Sequence, residues 1–206
     1  KISDVIDGLK ICDPAVGSGH FLVSVLNEII ALKSELYALF DADGKILHGI
    51  HCYVANDELI IQDFNGDNFS YRARNVESER IQKALFLQKR TIIENCLFGV
   101  DINPNSANIC RLRLWIELLK NSYYEKEPTT EITELITLPN IDINIKAGDS
   151  LLHKFKFDSE FDMRRNDFKE YLELVKEYKE TNNKQTKIEI YNSCLSTSSN
   201  FSIRLF

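Results

Sequence analysis

Short apolar runs alternate with helix-like segments along the chain. Residues 8–13 and 96–101 are apolar runs that each end at an acidic residue, which is typical of strands buried on both faces. Apolar residues then recur three or four positions apart over about 18–38 and 104–123, which predicts helices. Residues 141–147 alternate strictly and also lead into an acid, which predicts a strand at a sheet edge. Strand-then-helix units of this kind predict an open, mainly parallel α/β sheet.

Between the first two units the pattern changes to that of an antiparallel insertion. Residues 41–72 contain the turn dipeptides Asp43-Gly44 and Asn65-Gly66 among short β-prone pieces. Residues 76–95 return to helical spacing, so we expect the insertion to span 41–95.

The rest of the chain is more polar. A short helix is expected at about 130–137, and a Lys- and Glu-rich segment at 164–187 predicts a surface helix. From Ser193 onward the chain is rich in serine, which predicts a structureless tail. We therefore expect 153–206 to be a helical spacer followed by a polar tail.

Composition limits the class of protein. The chain has 206 residues, 44% of them hydrophobic, and a net charge of −6, which is typical of one soluble globular domain or a piece of a larger one. No apolar run is long enough for a membrane span, and the start does not resemble a signal peptide, so an intracellular protein is expected.

The five cysteines are widely spaced and never form Cys-x-x-Cys, which argues against a disulfide framework or zinc ribbon. Cys12, Cys96 and Cys110 lie in apolar runs and are expected to be buried. His48, His51 and Cys52 could belong to a metal site, but they lack a second ligand cluster, so hairpin residues are the favoured interpretation and no metal is expected.

Positive charge is concentrated in one stretch. Residues 1–70 hold four basic and eleven acidic groups, whereas residues 71–90 hold six basic and two acidic ones. This stretch indicates either a solvated helix face or a local surface for nucleic acid.

The candidate ligand-binding residues lie where the three predicted strands end, since ligands of open parallel sheets bind at the carboxyl ends of the strands. Glycines 17 and 19 would let a ligand approach the backbone after Asp13. Asp101 could accept hydrogen bonds from both hydroxyls of a ribose, and Asp149 could accept one from an exocyclic amine. Together these features indicate a ligand that contains adenosine.

Two such ligands remain open. A dinucleotide site expects Gly-x-Gly-x-x-Gly, but this chain has Leu22 at the last position. Asp13 would repel a pyrophosphate and attract an amino-acid ammonium group. S-adenosylmethionine is therefore favoured over NAD.

The same residues resemble a known family. Residues 13–22, Asp-Pro-Ala-Val-Gly-Ser-Gly-His-Phe-Leu, are similar to the first motif of adenine-specific DNA methyltransferases of restriction–modification systems, especially the fused enzymes of types IIG and IIS. Residues 98–117 resemble that family's second strand and following helix, and 147–152 its third motif. The resemblance implies a Rossmann-like class I methyltransferase fold, with cofactor-binding units at 8–40 and 95–152, in a cytoplasmic prokaryotic protein.

The resemblance also implies the binding residues. The methionine part of S-adenosylmethionine would lie at the first motif, the ribose and adenine at the second strand, and the adenine edge at the third motif. The cofactor-binding residues so implied are Asp13, Pro14, Ala15, Gly17, Ser18, Gly19, Phe21, Asp101, Ile102, Asp149, Ser150 and Leu151. Double-stranded DNA would be bound by the full-length protein, with contributions from Arg72, Arg74, Lys83 and Lys89.

The family's catalytic motif, Asn-Pro-Pro-aromatic, does not occur in these 206 residues. In the family it follows the third motif, so we expect it beyond residue 206 and expect no catalytic residue here. The chain is then part of a methyltransferase, and the resemblance to types IIG and IIS leaves open whether that enzyme is fused to an endonuclease. The alternatives are a non-catalytic module that binds S-adenosylmethionine and, less favoured, half of an NAD-dependent oxidoreductase domain.

Overall fold

The computed structural model describes residues 2–126, 133–135, 144–151, 166–181 and 183–200. The helices in these ranges are α1 (Ile2–Asp7), α2 (His20–Glu35), α3 (Val76–Asn95), α4 (Pro104–Leu119), α5 (Asn166–Glu180) and α6 (Lys184–Asn200). The strands are β1 (Ile11–Asp13), β2 (Ile50–Ala55), β3 (Glu58–Asp63), β4 (Leu97–Asp101), β5 (Tyr124–Lys126), β6 (Thr133–Leu135) and β7 (Ile145–Ala147).

The strands that end in acidic segments form one parallel sheet in the order β1-β4-β7. Ile11 pairs with Leu97 at the start of the first ladder, and Gly99 pairs with Ile145 at the start of the second. The predicted parallel α/β arrangement is therefore present. As the alternating pattern predicts, β7 lies at an edge of the described sheet. It covers 145–147 of the predicted strand 141–147, and 141–143 lie outside the described residues.

The helices α2, α3 and α4 pack against one another and against the sheet. Their apolar stripes supply the core, in which Leu22, Leu26, Leu85, Leu97 and Leu114 are almost fully buried. Burial of each such side chain stabilises the fold by roughly 1.5 to 3 kcal/mol. The helix α3 has the predicted bounds because the Asn75 side chain accepts a hydrogen bond from Ser78 N and so caps its first turn.

The insertion contains the predicted antiparallel pair, β2 with β3. Its connecting turn lies at Asn56 and Asp57, whose φ angles of 52° and 63° suit a tight two-residue hairpin turn. The Asp43-Gly44 and Asn65-Gly66 turns also form, on either side of this hairpin, and isolated bridges join the residues around them. The β2–β3 hairpin packs on α2 through the face that carries Cys52, so the hairpin forms a layer outside the helices.

Two sequence-based expectations, for residues 130–137 and for Cys12, are wrong. Residues 133–135 form β6, which pairs with β5, and so are not helical; the rest of 130–137 lies outside the described residues. Cys12 is exposed on β1, which is an edge strand among the described residues.

The helix α6 continues to Asn200, where a structureless tail was expected. It packs against α5 through a small cluster of buried residues that includes Tyr178, Ile190 and Cys194. This contact compensates for the weak intrinsic helix propensity of the serine-rich segment.

Candidate functional site

The three strand ends are linked by hydrogen bonds at the carboxyl edge of the sheet. Val16 N donates to Val100 O over 2.9 Å, and Gly17 N donates to Asp101 Oδ2 over 2.8 Å. Gly148 N donates to Asp101 O over 2.8 Å. The loops after β1, β4 and β7 therefore meet at Asp101.

Each acidic residue at a strand end folds its loop in the same way. Its Oδ1 atom accepts a hydrogen bond from the amide two residues on: Asp13 from Ala15 over 3.0 Å, Asp101 from Asn103 over 2.8 Å and Asp149 from Leu151 over 2.9 Å. These Asx turns place three carboxylates along one edge. Within the described residues, no hydrogen bond is made by the Oδ2 atoms of Asp13 and Asp149.

Asp101 also keeps acceptor capacity. Its two oxygens each accept one backbone N–H, whereas a carboxylate offers about four lone-pair sites. Asp101 is half-buried, so part of the carboxylate still faces the solvent.

Glycines set the shape of the loop after β1. Gly19 has φ +81°, and a Cβ atom there would lie 2.7 Å from Cys110 Sγ and 3.1 Å from Cys110 Cα. Gly17 has φ +53°, and a Cβ atom there would make only an ordinary contact with Ala15 O at 3.9 Å. Only glycine therefore fits between the loop and α4 at position 19.

Two supporting residues were not among the predicted site residues. Gly99 leaves room for buried Val16, since a Cβ atom at position 99 would lie 2.8 Å from Val16 Cγ2. Cys110 packs under Gly19, and burial raises the pKa of its thiol to about 11, so it is an inert packing group. The signal for Gly99 was its position inside the apolar run that precedes Asp101.

Apolar side chains at this edge are exposed. Phe21, Ile102 and Leu151 are 53%, 74% and 84% exposed, one beside each strand end. The remaining predicted residues, Pro14, Ala15, Ser18 and Ser150, are also exposed. Exposed apolar groups beside carboxylates and backbone amides are typical of ligand sites.

The start of α2 adds free backbone donors to the site. Its N-cap is Gly19, which has no side chain to accept a hydrogen bond from the first amides. Such an uncapped helix start attracts negative groups.

The basic stretch contributes less surface than the sequence predicts. Lys89 is 2% exposed, and its Nζ donates to Glu117 O over 3.2 Å, so its predicted contribution to a DNA surface is wrong. Lys89 continues the buried stripe of α3, four residues after Leu85. Lys83 is half-buried with its Nζ 5.3 Å from the centre of the Tyr123 ring.

The other basic residues divide into paired and exposed ones. Arg80 pairs with Asp41 and Glu77, and Arg90 pairs with Glu94. Arg72 and Arg74 are exposed just before α3.

Neither a metal cluster nor a membrane helix is found in the described ranges. No three His, Cys, Asp or Glu side chains there are grouped as a metal would require. None of the helices described is both long and apolar enough to cross a membrane.

The fold and the strand ends define an α/β protein with a candidate ligand site at the carboxyl edge of its sheet. The model of the Eco57I restriction-modification methylase family matches residues 95–201, just over half of the chain. The chain belongs to this family.

Two curated relatives agree with this assignment. A provisionally named type II restriction enzyme and methyltransferase of Methanocaldococcus jannaschii is 32% identical over 72% of this chain and 9% of its own length. The type II restriction enzyme and methyltransferase Eco57I of Escherichia coli is 28% identical over 69% of this chain and 11% of its own length. The chain thus spans about a tenth of these relatives. No solved structure matches it significantly.

Proposed function

We propose that the full-length protein methylates the exocyclic amino group of adenine in DNA and that this chain binds its S-adenosylmethionine. The β1-β4-β7 order is that of strands 1, 2 and 3 in a doubly wound Rossmann sheet. In this proposal, 8–40 and 95–152 are the cofactor-binding units of a class I methyltransferase fold, 41–95 is an insertion, and 153–206 is a mainly helical spacer.

The charges and hydrogen-bonding groups of the described residues support S-adenosylmethionine as the ligand. The ligand combines an ammonium, a carboxylate, a ribose and an adenine. Asp13 Oδ2 would pair with the ammonium, and the uncapped first amides of α2 would bind the carboxylate. Gly17 adds no side chain to this loop, and Gly19 lets the loop pack closely against α4.

The adenosine part fits the other two strand ends. The remaining lone pairs of Asp101 would accept from the ribose hydroxyls, and Asp149 Oδ2 would accept from the adenine amine. The exposed side chains of Ile102 and Leu151 would cover the adenine faces. When bound, S-adenosylmethionine supplies a methyl group activated by its sulfonium.

NAD fits less well. A pyrophosphate would lie beside the Asp13 carboxylate, which repels it. Leu22 is fully buried in the core, at the position where a dinucleotide site uses glycine for close helix–strand packing.

Family membership supports the DNA substrate, and the missing Asn-Pro-Pro-aromatic motif would come from outside residues 1–206. The observation that carries the proposal is the meeting of three acid-ended strands and the glycine loop at Asp101.

Calorimetry on the full-length protein tests the cofactor. S-adenosylmethionine should bind, and Asp101→Ala should weaken binding by about 1 to 3 kcal/mol through lost hydrogen bonds. Asp67→Ala, an exposed acid in the insertion, is the matched control. Binding of NAD without S-adenosylmethionine would contradict the proposal.

The reaction is tested by incubating DNA with the full-length protein, digesting the DNA and analysing its nucleosides by mass spectrometry. The expected product is adenine methylated on its amino group, formed only when S-adenosylmethionine is present. Tight cofactor binding with no methylation of any DNA would instead favour the non-catalytic module.

A further inference from the structure

A second cavity lies away from the strand ends, between the insertion hairpin and the helices. Its volume is about 320 Å³. One wall is formed by the hairpin and the segment after it, and the other by α3 and the end of α4. The lining residues are Glu58, Leu59, Ile61, Phe69, Tyr71, Gln82, Lys89, Glu117, Lys120 and Asn121.

The hairpin wall is mainly apolar and aromatic. Leu59 and Ile61 share one face of β3 because side chains alternate along a strand. Phe69 N donates to Ile61 O over 2.8 Å, which holds the following segment beside β3. Phe69 and Tyr71 are both half-buried and are separated by exposed Ser70, so they face the cavity together.

The helical wall is polar and deeply buried. Lys89 and Asn121 are 2% and 4% exposed. Lys89 Nζ donates to Glu117 O over 3.2 Å and lies 3.8 Å from Glu117 Oε2. Glu117 Oε1 is occupied by Lys120 Nζ at 2.6 Å.

Two groups on this wall are not fully satisfied by the described residues. Asn121 Oδ1 is buried and accepts no hydrogen bond from them. Lys89 has three N–H donors, and the one acceptor within normal hydrogen-bond distance in this part of the chain is Glu117 O. Leaving such groups unsatisfied in the interior is costly, so a ligand that brings both a donor and an acceptor would be stabilised here.

We propose that this cavity binds a nucleobase, with its ring against Phe69 and Tyr71 and its amide-like edge toward Lys89 and Asn121. A nucleobase edge carries adjacent donors and acceptors, and every base has a face that stacks on aromatic side chains. The four charged lining residues are two acids and two lysines, which suits an uncharged ring better than a phosphate. The volume is at the lower end of small-molecule sites and suits one base or nucleoside.

The base could come from a free nucleoside or from an unpaired position in a nucleic-acid strand. Both sources present the same ring and edge. The site is independent of the proposed methyl transfer, because none of its lining residues is at the carboxyl edge of the sheet.

Binding to the full-length protein with its cofactor site saturated by S-adenosylmethionine tests the proposal. Adenosine, guanosine, cytidine and thymidine are titrated individually, followed by a short single-stranded DNA and the same strand with abasic positions. At least one nucleoside, or the intact strand but not the abasic one, should bind. Nucleoside binding alone identifies a free metabolite, and strand-only binding identifies an unpaired base.

Variants locate the site. Tyr71→Ala and Asn121→Leu should each weaken binding at least about fivefold through lost stacking and hydrogen bonding. Tyr71→Phe should retain most of the affinity because it keeps the ring. Phe64→Ala, an 83% exposed aromatic in the same insertion, is the matched control.

Three results would overturn the proposal: no binding of any probe up to about 10 mM, displacement of the bound base by S-adenosylmethionine, or unchanged affinity in Tyr71→Ala. Tyr71 is only half-buried, so this variant should fold even if Asn121→Leu does not.

Discussion

At the residue scale, the conformation of the loop after β1 requires glycine at two positions. Gly19 and Gly99 have no Cβ atom, and Cys110 and Val16 occupy the space that one would fill. The glycine loop is therefore shaped by contacts with α4 and β4 as much as by its own sequence. The sequence motif shows the glycines but not the atoms that require them.

Gly19→Ala should destabilise the fold and weaken S-adenosylmethionine binding. The new methyl group would meet Cys110 Cα at 3.1 Å, in addition to the strain of a residue with φ +81°. Gly44→Ala is the matched control, because Gly44 has φ +75° with open space around it. Strain alone costs roughly 1 to 2 kcal/mol, so thermal unfolding should show a larger loss for Gly19→Ala. Equal losses would contradict the contact with α4.

At the element scale, prediction worked where local signals and packing agree. The helix α3 was predicted at its observed bounds from its apolar stripe, and the Asn75 cap in the structure fixes its start at the same place. The turn at Asn56-Asp57 was missed because it contains no glycine. The burial of Lys89 was missed because a lysine counts as polar, although it lies on the stripe with Leu85 and Ile92.

For the candidate site too, local sequence signals predicted some features and missed others. Acids following apolar runs predicted that Asp13, Asp101 and Asp149 would share one edge, and the register places them there. The hydrogen bond from Gly17 to Asp101 joins residues 84 positions apart, which no local pattern reveals. The end of α6, from Ser193 onward, likewise packs on α5, and its sequence alone predicted no structure.

The contact between α3 and α4 should make stability depend on pH. Burial lowers the pKa of Lys89 to about 8, although Glu117 opposes that shift and Lys120 adds to it. Below pH 8 the lysine is charged in both folded and unfolded chains and destabilises the fold. From pH 8 to about 10 only the unfolded chain binds the proton, so stability should rise with pH.

Lys89→Met isolates this effect. The free energy of unfolding of the native protein relative to this variant should increase by on the order of 1 to 3 kcal/mol between pH 7.5 and 10. The comparison is necessary because burial raises the pKa of Cys52 and Cys110 to about 11, which has the opposite effect on stability. A constant difference between the two proteins would show that Lys89 does not titrate in this range.

At the scale of the whole molecule, the net charge of −6 hides a division of roles. Carboxylates line the edge proposed to bind the cofactor. Most of the basic residues in 71–90 instead form internal ion pairs or pack against other side chains. Arg72 and Arg74 remain as exposed cations before α3. The contribution of residues 71–90 to a DNA surface should therefore be small.

Salt dependence measures that contribution. In the full-length protein, Arg72→Gln with Arg74→Gln should reduce the slope of log affinity against log salt by up to about 1.8, or 0.9 per phosphate contact. Lys45→Gln, an exposed lysine elsewhere in the insertion, should leave the slope unchanged. If the double variant has the native slope, these arginines are solvent-exposed residues that do not contact DNA phosphates.

The hydrogen bond from Gly17 to Asp101 also has a consequence for biosynthesis. At ribosomal rates, the 84 residues between donor and acceptor take roughly 4 to 17 s to make. During that time the hairpin and α3 are synthesised, and Gly17 N cannot yet donate a hydrogen bond to the Asp101 carboxylate. Cofactor present during translation would therefore find a complete loop only after the second acid-ended strand has emerged.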